Sequence, residues 1–213
     1  MVIFDDDPHV INFQNIDIPV RAVLQRLGYP QGKRRDNSEV NRIFDEEIER
    51  APKLFKSQGV FRFLEVASKN EEFITFKRSS FAIKSKHVVK MLNGSDLVIV
   101  FMVTIGPFLE QEVDKLMNQG EMTRGVILDA IGSETADAVA EELHKVMFKR
   151  MAEEQGFSVT PRFSPGYGDW PVTVQKDLLE LCSGELIGIS VNESSLMIPR
   201  KSVSAVFGWV KKR

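Results

Sequence analysis

The sequence predicts an α+β fold, and two observations carry that prediction. One is a nearly continuous apolar run from Leu97 to Ile105, typical of a strand buried on both faces at the centre of a sheet. The other is a series of amphipathic segments with apolar residues three and four positions apart, typical of helices that pack through one face. The apolar fraction of 43% and the charged fraction of 27% are ordinary globular values. We therefore expect residues 1–213 to form one domain.

The first 55 residues predict two helices and no clear strand. The segment Val20 to Leu27 has helical spacing after a proline, and Gly28 supplies a left-handed stop. Residues 31–37 are polar and basic and predict a loop. A second helix follows from Ser38 and should end at Pro52.

Aromatic and β-branched residues then predict strands. Val60 to Val66 and Phe73 to Phe76 are separated by a Lys-Asn turn, and the β pattern continues from Phe81 to Val88. Asn93-Gly94 predicts a tight turn before the central strand.

Helical periodicity returns after Gly106-Pro107. We predict one helix over 108–117 and a longer one over 126–151, with Gly132 as a place where it could break and Ser133 as a cap for its second part. Asp137, Glu141 and His144 fall on one side of the long helix, because offsets of four and three bring side chains together. From these residues alone, a solvated face with Glu141 paired to Lys145 is the simplest interpretation.

The C-terminal third predicts one helix and two strands around an unusual loop. Residues 161–171 contain three prolines and two glycines, which forbid a regular helix, together with an arginine, large aromatics and an aspartate. A helix over 172–181 should follow, capped by Asp169, and strands over 186–191 and 202–210. Such a loop is either a binding segment or a rigid connector whose Tyr167 and Trp170 cover the core.

Three motifs in one order resemble a known family. They are Arg-x-x-x-Gly-Tyr at residues 162–167, an Ala-acid-Ala-x-Ala-Glu-x-Leu-His helix at 136–144, and the Glu-Ser-x-x-Met-x-Pro and Ser-Val-Ser signatures within 192–204. Together they are similar to the activation domain of cobalamin-dependent methionine synthase. The resemblance is good over 97–209 and thin over 1–95.

The resemblance implies a curved α+β domain with a long, mostly antiparallel sheet flanked by helices, and it implies a site for S-adenosylmethionine. Arg162 would bind the ligand carboxylate through its planar guanidinium. Either Asp137 or Glu141 would face the ammonium or sulfonium charge. The backbone around Ser164 would meet the adenine edge, while Gly166 shapes the turn and Tyr167 packs against the ligand.

Composition and motifs exclude several other functions. With 28 basic and 30 acidic side chains, the chain lacks the positive excess that grips nucleic acid. The single cysteine, Cys182, and the acidic start of the chain predict a cytoplasmic location, and no apolar run approaches the ~20 residues that span a membrane. No nucleophilic catalytic set and no metal cluster is evident.

The methyl acceptor must then lie on another chain. Asn12 replaces the glycine of the Asp-x-His-x-x-Gly cobalt-ligating pattern, so we expect His9 to be a surface residue and cobalamin to be carried by a partner. The resemblance implies a reactivation subunit that presents S-adenosylmethionine to the reduced cobalamin of a methionine synthase core, with a reductant such as flavodoxin. A non-catalytic interaction module that kept the fold, or a reactivator of another corrinoid methyltransferase, are the alternatives.

Overall fold

The computed structural model describes residues 7–29 and 38–212. The helices are α1 (Val20–Arg26), α2 (Ser38–Arg50), α3 (Lys86–Met91), α4 (Phe108–Asn118), α5 (Met122–Glu141), α6 (Lys149–Glu154) and α7 (Gln175–Cys182). The strands are β1 (His9–Asn12), β2 (Gln58–Lys69), β3 (Phe73–Phe76), β4 (Ala82–Lys84), β5 (Ser95–Thr104), β6 (Phe157–Val159), β7 (Ser190–Val191), β8 (Met197–Ile198) and β9 (Ser202–Lys211). A π-helical segment, Glu142–Phe148, joins α5 to α6, and 3-10 turns lie at Ala51–Leu54, Val172–Val174 and Gly184–Ile187.

The main sheet is long and antiparallel, as the fold class predicts. Its strand order is β4-β3-β2-β5-β9-β6, and β1 pairs with the start of β2. The central strand β5 pairs antiparallel with β2 along residues 97–104 and with β9 along almost its whole length. Strands β7 and β8 form a separate two-stranded sheet.

Helices cover both faces of the main sheet, which is why β5 is apolar without alternation. On one face, α1, α2, α4 and α5 pack over a core that includes Phe101, Val103 and Phe207. On the other, α3 and α7 pack over Val100, Met102 and their neighbours. Alternate residues of β5 therefore enter different cores, and both sets are fully buried.

The two predicted N-terminal helices are present, but strand β1 was not predicted. Helix α1 ends one residue before Leu27, and α2 runs into a 3-10 turn that contains Pro52. The predicted loop at 31–37 lies outside the described residues.

Strand β1 was missed because four residues are too short to show a period. His9 lies in β1, half-buried, and its ring stacks on Phe61 with centroids 5.2 Å apart, so the prediction of a surface residue was wrong.

The predicted β extension from Phe81 to Val88 was wrong in its second half. Strand β4 ends at Lys84, and His87 and Val88 lie in α3. The physical reason is a cap: the Ser85 hydroxyl accepts a hydrogen bond from the Val88 N–H, which starts the helix. The turn predicted at Asn93-Gly94 is present and joins α3 to β5.

The long helix starts earlier than predicted and does not break at Gly132. Gly132 lies against α4, and a Cβ there would come within 2.4 Å of Leu109 Cδ2, so the glycine permits close packing of the two helices. Ser133 is not a cap: its hydroxyl donates to the Asp129 carbonyl in the preceding turn and accepts from Lys201 Nζ. Among the predicted buried positions, Val139 and Leu143 are fully buried.

The C-terminal predictions were partly correct. Strand β9 is confirmed, but of the predicted strand at 186–191 only Ser190–Val191 is extended, because residues 184–187 form a 3-10 turn. The predicted helix at 172–181 begins with a 3-10 turn and becomes α-helical at Gln175. Strand β6 was not predicted. Over residues 7–29 and 38–212, no helix combines the length and apolarity needed to cross a membrane.

Candidate functional site

An open pocket of about 800 Å³ lies at the edge of the sheet, beside the first residues of β9. Strand β6 is short and pairs only with residues 209–211 of β9, and Phe163 adds a single bridge to Val206. Within the described residues, no strand covers this edge at residues 202–204. The pocket occupies that gap, between the end of α5 on one side and α7 on the other.

The loop at 161–171 is fastened to β9 at its first residues. Phe163 exchanges two backbone hydrogen bonds of 2.9 Å with Val206. Just before it, the Thr160 N–H donates to the Gly208 carbonyl, and the Gly208 N–H donates to the Thr160 hydroxyl, each at 2.9 Å. These bonds fix the backbone on either side of Arg162, so its side chain enters the pocket from a rigid base.

Asp169 fastens the other end of the loop to α3. Its carboxylate accepts from the Ser85 hydroxyl at 2.5 Å, from the Lys86 N–H at 2.7 Å and from His87 Nδ1 at 2.9 Å. The hydrogen bond from Ser85 is the largest of the effects that hold the pKa of Asp169 far below its usual range. The prediction that Asp169 caps the helix at 172–181 was therefore wrong, since the carboxylate stabilises the start of α3 instead.

The middle of the loop is a tight turn that separates its two aromatics. Gly166 has a φ of +91°, a conformation that favours glycine, and its N–H donates to the Trp170 carbonyl at 2.8 Å. Trp170 is fully buried, whereas Tyr167 is 69% exposed at the pocket rim. Trp170 covers the core and Tyr167 does not, so the interpretation in which both aromatics cover the core is wrong for Tyr167. Ser164 lines the pocket, and Gly166 shapes the turn without lining it.

Arg162 and two carboxylates meet in the pocket wall. Arg162 Nη2 lies 2.6 Å from Asp137 Oδ1, and Arg162 Nε lies 3.7 Å from Glu141 Oε2. Glu141 also pairs with Lys145, as the sequence predicts. Burial would raise the pKa of Glu141, but the hydrogen bond and charge of Lys145, with the charge of Arg162, outweigh burial and lower it.

His144 lies behind this cluster, and its burial favours the neutral form of the ring. Its Nε2 donates to the Thr160 carbonyl at 2.9 Å, which leaves Nδ1 as an acceptor. Burial lowers its pKa, and the hydrogen bond with Thr160 opposes that shift only in part. His144 Nδ1 is buried and has no hydrogen-bond partner in the described part of the chain. The surrounding segment is π-helical, a local irregularity that is frequent at functional sites.

The opposite end of the pocket is polar but uncharged. The Ser204 hydroxyl donates to Gln175 Oε1 at 2.7 Å, and Met197 from β8 lines the same end. None of these was predicted as a site residue. The sequence does contain one hint for Gln175. It lies three positions before Leu178, so in a helix its polar amide falls on the same face as buried apolar residues.

The cysteine and the acidic and histidine side chains of the described residues show the following arrangement. Cys182 is buried, and burial raises the pKa of its thiol to about 12, so it is not a nucleophile at neutral pH. No cluster of three or more His, Cys, Asp or Glu in residues 7–29 and 38–212 could hold a metal ion.

Comparison with known proteins identifies the fold and the family of this chain. The crystal structure of the MetH reactivation domain bound to AdoHcy matches with a TM-score of 0.72 at 17% identity, over 94% of this chain and 78% of that chain. That likeness shows the fold. The family description "Vitamin B12 dependent methionine synthase, activation domain" matches residues 78–212, which include the whole pocket. Since that match spans more than half of the sequence, this chain belongs to the activation-domain family of vitamin B12-dependent methionine synthase.

Proposed function

We propose that this chain binds S-adenosylmethionine in the pocket beside β9 and presents its methyl group to cobalamin carried by a partner methionine synthase core. The ion pair between Arg162 and Asp137 in the pocket wall is the observation that carries the proposal. An amino acid ligand bears one carboxylate and one ammonium, and the wall offers one guanidinium and a carboxylate for them. The solved reactivation domain bound to AdoHcy supports the choice of ligand.

The ion pair can open for the ligand at small cost. Asp137 is 58% exposed, and an exposed ion pair contributes about 0–1 kcal/mol to stability. A hydrogen bond between Arg162 and a ligand carboxylate, made in a more enclosed setting, is worth about 1.5–3 kcal/mol. Exchange of the internal partner for the ligand is therefore favourable.

The residues of this chain bind and orient the methyl donor, while other chains supply the cobalamin and the electron. Arg162 takes the carboxylate, Asp137 or Glu141 the ammonium, the backbone at Ser164 the adenine edge, and Tyr167 closes the rim. Holding the methyl donor in one orientation turns a random encounter with the partner into an aligned one. A reductant such as flavodoxin would supply the electron, and the buried, unpaired thiol of Cys182 suits the cytoplasm as the place of action.

Calorimetry with S-adenosylmethionine and S-adenosylhomocysteine tests the binding step. We expect the wild-type chain to bind both, and Arg162→Ala to weaken binding by about 1.5–3 kcal/mol, the scale of a charged hydrogen bond. Arg42→Ala is a matched control, because Arg42 is an exposed, ion-paired arginine of α2 outside the pocket lining. Absence of heat with the wild-type chain would refute the proposal and favour an interaction module that kept the fold.

A further inference from the structure

The uncharged end of the pocket contains a buried polar pair to which the proposed function gives no role. Gln175 is the first residue of α7 and is 6% exposed, and Ser204 on β9 is 1% exposed. The Ser204 hydroxyl donates to Gln175 Oε1 at 2.7 Å. This bond fixes the orientation of the carboxamide, so its NH₂ group is the part left to interact with something else.

The NH₂ group of Gln175 has no hydrogen-bond partner among the described residues, although the side chain is buried and lines the pocket. Gln175 Nε2 is not one of the fully buried, unpaired polar atoms, so it is open to the pocket and free to donate to a ligand there. A rotamer that is locked by one hydrogen bond and presents two unused N–H groups to a pocket is typical of a preorganised recognition group.

The backbone of Ser204 offers further groups at the same place. Val206 directs its N–H and C=O to the open edge of β9, where they bond to Phe163. Directions alternate along a strand, so Ser204, two residues away, directs its own N–H and C=O to that edge too. Within residues 7–29 and 38–212 no strand or loop pairs with them.

The charges of the pocket decide which part of a ligand lies here. Its ionisable groups come from α5, the π-helical segment and the loop, whereas the α7 side contributes Gln175, Ser204 and Met197. A ligand whose amino acid end is held at Arg162 therefore places its uncharged end against Gln175. In an S-adenosyl compound the uncharged end is the nucleoside.

We infer that Gln175 is a specificity-determining residue that donates a hydrogen bond to an acceptor nitrogen of the ligand's purine ring. This inference rests on the proposed function and goes beyond it, because it assigns base recognition to a side chain. The Ser204 carbonyl is placed to accept from an amino group on the same ring. Adenine presents such an acceptor beside an amino donor on one edge.

Two substitutions remove the donor in different ways. Gln175→Glu keeps the shape of the side chain and an oxygen for the Ser204 hydroxyl, but it has no N–H to donate. Gln175→Met is neutral and of similar length. Gln111→Glu is the matched control, since Gln111 is an exposed glutamine on α4 outside the pocket lining. Circular dichroism and thermal melting establish that each variant is folded.

Calorimetry with S-adenosylhomocysteine and its 1-deaza, 3-deaza and 7-deaza analogues is the test. We expect both Gln175 variants to raise Kd about tenfold or more, as for a lost hydrogen bond in a buried site. One deaza analogue should bind the wild-type chain more weakly by a similar factor. That analogue alone should then lose little further affinity in the Gln175 variants, because its missing nitrogen is the acceptor.

The outcomes separate this inference from the proposed function. If the wild-type chain does not bind S-adenosylhomocysteine, the proposed function fails and the role of Gln175 falls with it. If the wild-type chain binds, Arg162→Ala weakens binding and the Gln175 variants bind as tightly as wild type, only the inference about Gln175 is overturned. It is also overturned if the Gln175 variants lose the same factor with all three deaza analogues, which would indicate a structural role.

Discussion

Arg162 is 21% exposed and lies between two carboxylates that differ in their other partners. Glu141 keeps Lys145 whichever way Arg162 turns, whereas Asp137 has only Arg162 among the described residues. When a ligand carboxylate takes the guanidinium, Asp137 is the carboxylate left without a cation. The ligand ammonium is therefore expected to pair with Asp137 in spite of its short side chain.

Neutral isosteres of the two acids test this assignment. We expect Asp137→Asn to weaken S-adenosylhomocysteine binding by about 1.5–3 kcal/mol, because the ammonium loses its charged partner. Glu141→Gln should have a smaller effect, since Lys145 already occupies that carboxylate. Calorimetry of both variants decides the matter, and a larger loss in Glu141→Gln than in Asp137→Asn would reverse the assignment.

His144 makes stability depend on pH. Its pKa is lowered in the folded chain, so below about pH 6.5 the unfolded state binds a proton that the folded state does not. The free energy of unfolding should therefore fall as the pH drops from 8 through 6.5 to 5. Urea unfolding of wild type and of His144→Gln at these pH values checks this, and the variant should lose part of the decrease. Equal decreases in both proteins would contradict it.

For individual residues of the site, the sequence predicts the charged ones better than the neutral ones. Arg162, Asp137 and Glu141 belong to motifs whose spacing along the chain is visible, and they do meet in the pocket. Gln175 and Ser204 are 29 residues apart and become partners only because α7 packs beside β9. No local pattern encodes that contact.

Among the helices and strands, the long ones with a regular apolar pattern were predicted, and several short ones were missed. Strand β5 was predicted because its eight consecutive buried residues, Leu97 to Thr104, form an almost continuous apolar run. Strands β1 and β6 were missed because four and three residues give no period. Helix α3 was not predicted because its start depends on Ser85 and on Asp169, 84 residues later in the chain.

Two glycines of α5 provide a matched test of helix packing. A Cβ at Gly132 would meet the fully buried Leu109 at 2.4 Å, whereas a Cβ at Gly125 would meet the flexible end of Met117 at 2.9 Å. We expect Gly132→Ala to lower the free energy of unfolding by about 1–3 kcal/mol through overpacking. Gly125→Ala should be neutral or stabilising, because alanine favours helix by up to about 1 kcal/mol. Urea unfolding of the pair measures the difference, and equal effects would contradict it.

At the scale of the whole molecule, the pocket is a product of strand order. Because β9 lies next to the short β6, one edge of a long strand is left open between the two helical layers. The α+β class and the antiparallel sheet were predicted, but the strand order was not. The gap that forms the pocket therefore could not be foreseen from the sequence.

Methyl transfer to a partner tests the whole assembly. We expect the wild-type chain, mixed with a cobalamin-binding methionine synthase core, a reductant and S-adenosylmethionine, to produce the absorbance spectrum of methylcobalamin. Arg162→Ala should slow its formation about tenfold or more at subsaturating S-adenosylmethionine, because this variant is expected to bind the methyl donor more weakly. Arg42→Ala should match wild type, and an unchanged rate in Arg162→Ala would show that presentation does not depend on this pocket.

The pairing of β5 with β9 also governs when the pocket can form during synthesis. Thr104 pairs with Ser202 and Ser95 pairs with Val210, so each pair joins segments that lie roughly a hundred residues apart in the chain. Contacts between such distant segments form slowly, because a long loop must close first. While the ribosome is still making residues 202–211, one edge of β5 has no neighbour and Arg162 has no strand to anchor its loop. The pocket is therefore complete only after β9 has been made and has paired with β5.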